Sequence, residues 1–415
     1  MQSLVILGRQ PYLGIAELES LYGAEKVRPL GLQAAVLDID PCLLAFDRLG
    51  GGVKFAKILT ELETSEWHEI DRFLRTTGPK QSQLIPKGKL NLGISAYGFN
   101  ASAKQVQAMA IALKLAIKNT GRSVRVVPNK ETYLNSAQVI HNHLTDENGW
   151  ELLLIKNGKS TVIGQTIKTQ DIAAYGRRDQ GRPARDPKVG MLPPKLAQII
   201  INLSVGLLPK AAERSICATP RGIPLQKIHF KDRLLDPFCG TGVIIQEAGI
   251  MGYDSIGTDI NVRMVNYAKA NIKWLAKLPQ TPLNPDVSIT IYPADATKHH
   301  WTLGPDFIAS ETFLGKPLPA SVKINDLKPV IAECNDIIQG FLANIYQQID
   351  KGSRLCLAVP AWRNSNGRFT HLPLIDSLEV IGYNRVSFVH APDEQLIYYR
   401  PDQRVARELL VLTKI

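Results

Sequence analysis

The sequence lacks any apolar run approaching the roughly 18–20 residues of a membrane-spanning helix, so membrane attachment is not expected. Cysteine is sparse: Cys42, Cys217, Cys239, Cys334 and Cys356 are scattered and form no CxxC pair. That excludes a disulfide scaffold and a zinc ribbon, and a reduced, cytoplasmic compartment is expected. His299 and His300 have no third ligand at a natural spacing, so no metal is predicted. There is no internal repeat and no low-complexity tract. The opening "MQSLVILGRQPYLGIAELESLYG" lacks the basic lead and small-residue cleavage site of a signal peptide, and reads as a strand followed by a helix.

Acidic excess is missing too. The net charge of the 415 residues is +11. Residues 81–195 hold 17 Lys/Arg against 7 Asp/Glu and so carry +10 of it. A local positive field of this size suits a polyanion such as nucleic acid, although a solvated basic surface is the alternative. The hydrophobic share of 45% and charged share of 21% are those of a folded chain.

Three parts with a connector are expected. Residues 1–64 read as a small α+β module. "SLVILG" and "AAVLDID" are strand-like, and Ile15, Leu18 and Leu21 lie at helical spacing before Gly23. In residues 65–169, "SAKQVQAMAIALKLAIKNTG" is an amphipathic helix with Val106, Ala110, Leu113 and Ile117 on one face. Ser102 caps it and Gly121 ends it. A hairpin turns at Asn157–Gly158. Residues 170–195, rich in Arg, Gly and Pro, show no apolar period and read as an irregular basic connector. Residues 196–415 alternate strands ("RLLDPF", "DSIGTDI", "VSITIYPAD", "DFIAS", "SRLCLAVP", "LEVIGYN") with helices. That order predicts a mostly parallel, doubly wound α/β sheet.

"LLDPFCGTGVIIQEAG" is a strand, a glycine turn and a helix. Gly240 and Gly242 let backbone approach a ligand without a Cβ in the way. A GTG turn alone also fits a dinucleotide site. Asp236, however, stands where a dinucleotide's phosphates would sit, which suits a cationic end better. Asp259 closes the next strand and suits the two hydroxyls of a ribose. Asp295 follows the third strand and suits an adenine amino group. Ribose, adenine and an ammonium without a phosphate clamp describe S-adenosylmethionine. Strand-end carboxylates that merely cap helices are the plain alternative.

"DPFCGTGVIIQEAGIMGYDSIGTDINVRMVNYAKANI" resembles the S-adenosylmethionine motif of RNA methyltransferases that carry a THUMP domain, most nearly the tRNA guanosine-10 N2-methyltransferase group. "RPARDPKVGMLPPKLAQIIINLS", "GRSVRVVPNKETYLNSAQVIHN" and "ILGRQPYLGIAELESLYG" are similar to that family's pre-core, THUMP and N-terminal segments. The resemblance spans nearly the whole chain. It implies an α/β fold: a Rossmann-like class I methyltransferase domain (196–415) preceded by α+β N-terminal and THUMP-like domains. By position, Asp236, Phe238, Gly240 and Gly242 would line the methionine end of the cofactor, Asp259 would hold the ribose and Asp295 would meet the adenine. Pro193, Pro194 and Lys195 would start a helix over the cofactor's edge.

The departure lies in "SETFLG", residues 310–315. The family carries Asp/Asn-Pro-Pro-Tyr/Phe there. The carboxylate or amide and a backbone carbonyl accept the amino hydrogens of the target base, and the aromatic ring stacks on that base once it is swung out. Here Glu311 replaces the acid, Thr312 and Phe313 replace the prolines, and Leu314 replaces the aromatic. Three readings stay open: an amino methyltransferase with a divergent loop, methylation of another atom or base, or RNA binding without methylation. A DNA amino methyltransferase is a further alternative. Arg122, Arg125, Lys130, Arg177, Arg178, Arg182 and Arg185 are the candidate phosphate contacts. The expected partner is tRNA or another structured RNA, and a small activator subunit is compatible with the resemblance.

Overall fold

The structure, a computed structural model, describes residues 2–186, 191–208, 231–279, 283–316, 327–364, 366–401 and 403–415. Cys217 lies outside them. The chain divides into two compact units. The first comprises Met1–Pro11, Glu25–Phe46 and Gly52–Ile172; the second comprises Tyr12–Ala24, Asp47–Gly51 and Ala173–Ile415.

The N-terminal elements are β1 (Ser3–Leu7), α1 (Pro11–Tyr22), β2 (Val27–Leu30), β3 (Ala34–Leu37), β4 (Gly52–Leu62), α2 (Trp67–Ser82), β5 (Leu90–Tyr97), α3 (Ala103–Lys118), β6 (Val124–Val126), α4 (Ser136–His141), β7 (Gly149–Asn157) and β8 (Ser160–Thr169). The strands of the first unit join one sheet in the order β2-β3-β1-β4-β8-β7-β5-β6. The expected boundary near residue 64 is therefore no break in structure. β4 is eleven residues long and pairs with β1 on one side and with β8 on the other, from Lys54↔Thr169 to Leu62↔Thr161. The α3 helix forms as its sequence predicts. Ser102 and Gln105 close a reciprocal capping box, Val106, Ala110, Leu113 and Ile117 are buried, and Gly121 follows at φ +87°.

Except for Pro11, α1 belongs to the second unit rather than to an N-terminal module. Its buried Glu17 explains why. The carboxylate accepts N–H bonds from Gly50 and Gly51, both at 2.9 Å, and from Asn202 Nδ2 at 2.7 Å. Arg48 donates to Asn202 Oδ1 and to the Tyr253 hydroxyl. Periodicity finds a helix but not the polar partners that decide where it docks.

The second unit continues with α5 (Ile172–Gln180), α6 (Pro194–Val205), β9 (Arg233–Asp236), α7 (Val243–Ile250), β10 (Asp254–Asp259), α8 (Val262–Leu275), β11 (Ile289–Pro293), β12 (Phe307–Glu311), α9 (Lys328–Tyr346), β13 (Arg354–Arg363), β14 (Phe369–Thr370), β15 (Tyr383–Arg385), β16 (Ile397–Tyr398) and β17 (Val405–Lys414). The sheet runs β11-β10-β9-β12-β13-β17-β15, with β14 on β13 and β16 on β17. Pairings from β11 to β13 are parallel; β17 and β15 run antiparallel. The core on this sheet includes Leu235, Ile308, Phe341, Leu355 and Leu410.

Two expectations fail here. The connector is not irregular throughout, because α5 occupies much of it. The inward side of α5 carries Ala174 and Arg178, and Arg178 pairs with buried Glu247, so apolar counting passes over the helix. "LEVIGYN" is not one strand either: Leu378 to Gly382 form a turn, and only Tyr383–Arg385 extends. Gly382 sits at φ +91°, a conformation that interrupts a strand. Among the described residues no helix is long and apolar enough to cross a membrane.

Candidate active site

The strand order of the second sheet reverses between β9 and β12, where an α/β sheet opens a crevice at the carboxyl ends of its strands. A cavity of about 640 Å³ lies there. Asp236, Phe238, Gly240, Asp259, Asp295 and Glu311 all line it. The sequence therefore brings the ends of four strands and the glycine turn to one place.

The turn is built by close backbone approach. Gly242 N–H donates to Cys239 O at 2.7 Å, and Gly240 N–H donates to Asp259 Oδ2 at 2.9 Å. Gly242 has φ +82°, and a Cβ on it would stand 2.9 Å from Ala268 Cβ. This glycine lets α7 start beside α8. A Cβ on Gly240 would meet nothing nearer than 4.0 Å, so its φ of +49° and its place on the cavity wall account for it. Cys239 is buried, and burial pushes its thiol well above the ordinary value, which does not suit a nucleophile.

The three aspartates differ in environment. Asp236 is fully buried, and that burial raises its pKa to about 8. Ser310 Oγ donates to its Oδ1 at 2.6 Å and Phe238 N–H at 3.3 Å, both favouring the anion. Asp259 and Glu311 oppose its ionisation, and among the described residues no cationic side chain pairs with Asp236 itself. Asp259 is also raised by burial, against N–H bonds from Asn261 and Gly240. Asp295 is lowered, first by the Thr297 hydroxyl at 2.7 Å and then by the Thr297 amide at 3.0 Å.

Glu311 ends β12 at the cavity, and its Oε1 accepts a hydrogen bond from Arg407 Nε of β17. Thr312 is buried, and both its amide and its hydroxyl donate to Ala358 O, at 3.0 and 3.2 Å. Phe313 is half-buried against the core and lines the cavity with Leu314. Sequence reasoning missed Ser310 and Arg407. Ser310 stood beside the motif, but Arg407 lies 96 residues away and no local pattern marks it.

Pro193 is the N-cap of α6, with Pro194 in its first turn. Leu192, not Pro193 or Lys195, lines the cavity. Lys195 instead lies 5.1 Å over the Tyr175 ring.

The basic candidates separate by environment. Arg178 and Arg182 are buried. Arg178 pairs with Glu247, and Arg182 lies 3.4 Å from Thr241 Oγ1 and 3.9 Å from Asp179. They are structural cations rather than phosphate contacts, because reaching a phosphate would require exposing them. Arg122 holds the carbonyls of Ser82, Ile85 and Pro86, so it braces a loop. Arg125, Lys130 and Arg185 are exposed and Arg177 is half-buried. No cluster that could hold a metal ion occurs among the described residues.

The chain matches no protein-family model. Across its whole length it aligns with the crystal structure of TrmN from Thermus thermophilus, covering 100% of both chains at TM-score 0.50 and 15% identity. With the strand order above, this shows a Rossmann-like α/β fold. Two curated relatives are more specific. The tRNA (guanine(10)-N2)-dimethyltransferase of Methanothermobacter thermautotrophicus is 36% identical over 111 residues, 26% of this chain and 26% of the relative. A probable tRNA (guanine(10)-N2)-dimethyltransferase of Methanothermococcus thermolithotrophicus is 47% identical over 51 residues, 12% of this chain and 32% of the relative. The matched portions thus span between a quarter and a third of these relatives' lengths.

Proposed function

We propose that this protein transfers a methyl group from S-adenosylmethionine to the exocyclic amino group of a guanosine in tRNA, in the cytoplasm. One observation carries the reading. Asp236 is a fully buried carboxylate on the cavity wall, and among the described residues no cationic side chain pairs with it. A bound ammonium would displace its proton and pair with the carboxylate so formed, because a buried anion needs a partner. Asp259 and Asp295 add acceptors at the next two strand ends, suited to ribose hydroxyls and an adenine amino group. The donor set therefore fits this cofactor, which when bound provides an electrophilic methyl on a sulfonium.

The remaining work falls to the chain itself. Glu311 accepts hydrogens from the target amino group, which keeps its lone pair out of the ring system. Phe313 and Leu314 offer apolar contact to a base swung out of its stack. Catalysis is then mostly orientation in a walled cavity. The names of the two curated relatives supply the guanosine amino group and tRNA. Within the first unit, a THUMP-like part would position RNA through exposed Arg125 and Lys130, and Arg177 and Arg185 would add contacts beside the second unit's connector.

The test incubates purified protein with radiolabelled S-adenosylmethionine and bulk tRNA from cells lacking the protein, then identifies labelled nucleosides after digestion. Label in N2-methylguanosine or N2,N2-dimethylguanosine supports the reading. Label in another base sinks the substrate assignment, and absence of label sinks transfer to tRNA.

A further inference from the structure

Glu311 is one methylene longer than the aspartate expected at this position and lacks the prolines that would stiffen the chain after it. A free glutamate at a strand end samples many rotamers, and fixing one costs side-chain entropy. A carboxylate that must meet two amino hydrogens cannot wander.

The structure answers this with a long-range tie. In the sheet, Glu311 stands opposite Ala358 of β13, and Ala358 stands opposite Leu409 of β17. Arg407 lies two residues from Leu409, opposite Pro360, so Arg407 and Glu311 belong to the same sheet face. The small Ala358 between them leaves room for the arginine side chain to cross β13. Arg407 is buried and its Nε donates to Glu311 Oε1, while Glu311 remains on the cavity wall. One carboxylate oxygen is held and the other is left for a ligand. The two Thr312 bonds to Ala358 O fix the next residue to the same strand.

We propose that Arg407 is a positioning residue that holds Glu311 for the target amino group, so that an ion pair across β13 replaces the rigidity of a double proline. The inference rests on the methyltransferase reading above. Arg407 touches neither base nor cofactor; it acts through Glu311, and the tie sets which exocyclic amino group can be accepted.

The experiment compares wild type, Arg407→Met, Arg407→Lys, Glu311→Ala and the Glu311→Ala/Arg407→Met double variant on the tRNA found to be modified. Expected for Arg407→Met is a kcat loss on the order of 100-fold with KM for tRNA and cofactor within about twofold. Arg407→Lys, which keeps a cation, recovers part of the rate. The double variant is no worse than Glu311→Ala, because the two residues act as a unit. It also leaves no unpaired buried charge, so it reports even where Arg407→Met folds poorly. A second readout needs no turnover: RNA binding with S-adenosylhomocysteine present, comparing the target guanosine with inosine, which lacks the amino group. Wild type should favour guanosine by about 10-fold, and Arg407→Met should lose the preference.

Unchanged kcat in Arg407→Met, multiplying losses in the double variant, or an unchanged guanosine preference would each overturn the positioning role. A melting temperature that falls with kcat of the folded fraction intact would do the same. Absence of methylation by wild type is the separate outcome that removes the parent reading, and this inference with it.

Discussion

Ser310 Oγ donates a 2.6 Å hydrogen bond to Asp236 Oδ1 and so joins the end of β12 to the end of β9 across the point where the sheet reverses order. The serine is fully buried and directly precedes Glu311. One residue thus steadies the carboxylate proposed to hold the cofactor, while its neighbour is the one proposed to meet the target base.

Because Asp236 has a pKa of about 8 without a ligand, it holds a proton at pH 7. An ammonium can pair only with the anion, so binding S-adenosylhomocysteine at pH 7 should release close to one proton from this position. Calorimetry in two buffers of different ionisation enthalpy measures it. Asp236→Asn should lose that release and bind on the order of 100-fold more weakly; Ser310→Ala should lose about 10- to 100-fold, the worth of one hydrogen bond to a charged group.

The same proton affects stability. An aspartate in the unfolded chain titrates at about 3.9, whereas folded Asp236 titrates at about 8. The folded state therefore binds the proton more tightly, and its stabilising contribution is complete below about pH 4 and fades as pH rises toward 8. Buried Glu17, raised to about 7, acts in the same direction. Ligand-free protein should lose melting temperature between pH 5 and 8.5, and Asp236→Asn should lose less over that range.

Two basic residues from the same stretch of charge should behave oppositely. Arg178→Met breaks a buried pair with Glu247 and should cost about 3–5 kcal/mol in chemical denaturation. Lys130→Glu, at an exposed site, should leave stability within about 0.5 kcal/mol. It should weaken tRNA binding and lower the dependence of log K on log salt by about one.

Gly242→Ala places a methyl 2.9 Å from Ala268 Cβ at a φ of +82°. It should destabilise by about 2 kcal/mol or more and weaken cofactor binding, read by denaturant titration and by calorimetry.

Local chemistry was legible in the sequence. Ser102 and Gly121 bound α3 because capping and left-handed turns depend on single residues. Asp236, Asp259 and Asp295 surround one cavity because a βαβ alternation puts strand ends side by side. What stayed hidden depends on distant partners. α5 escaped notice since its inward face is an arginine matched by Glu247, 69 residues on. Arg407 escaped since its meeting with Glu311 follows from the register of β13 and β17. The single sheet spanning residues 3–169 escaped since pairing of β4 with β8 leaves no local trace.

The placement of α1 bears on how this gene can be dissected. The unit that holds the cavity includes Tyr12–Ala24 and Asp47–Gly51, so it is not a contiguous cassette. A fragment opening at Ala173 would leave Asn202 and Tyr253 without Glu17 and Arg48. Transplanting the cavity-bearing unit onto a different module would need the first fifty residues carried along or their contacts redesigned. Recombination between relatives would be under the same constraint, since a crossover at the apparent border would separate a helix from the body it completes.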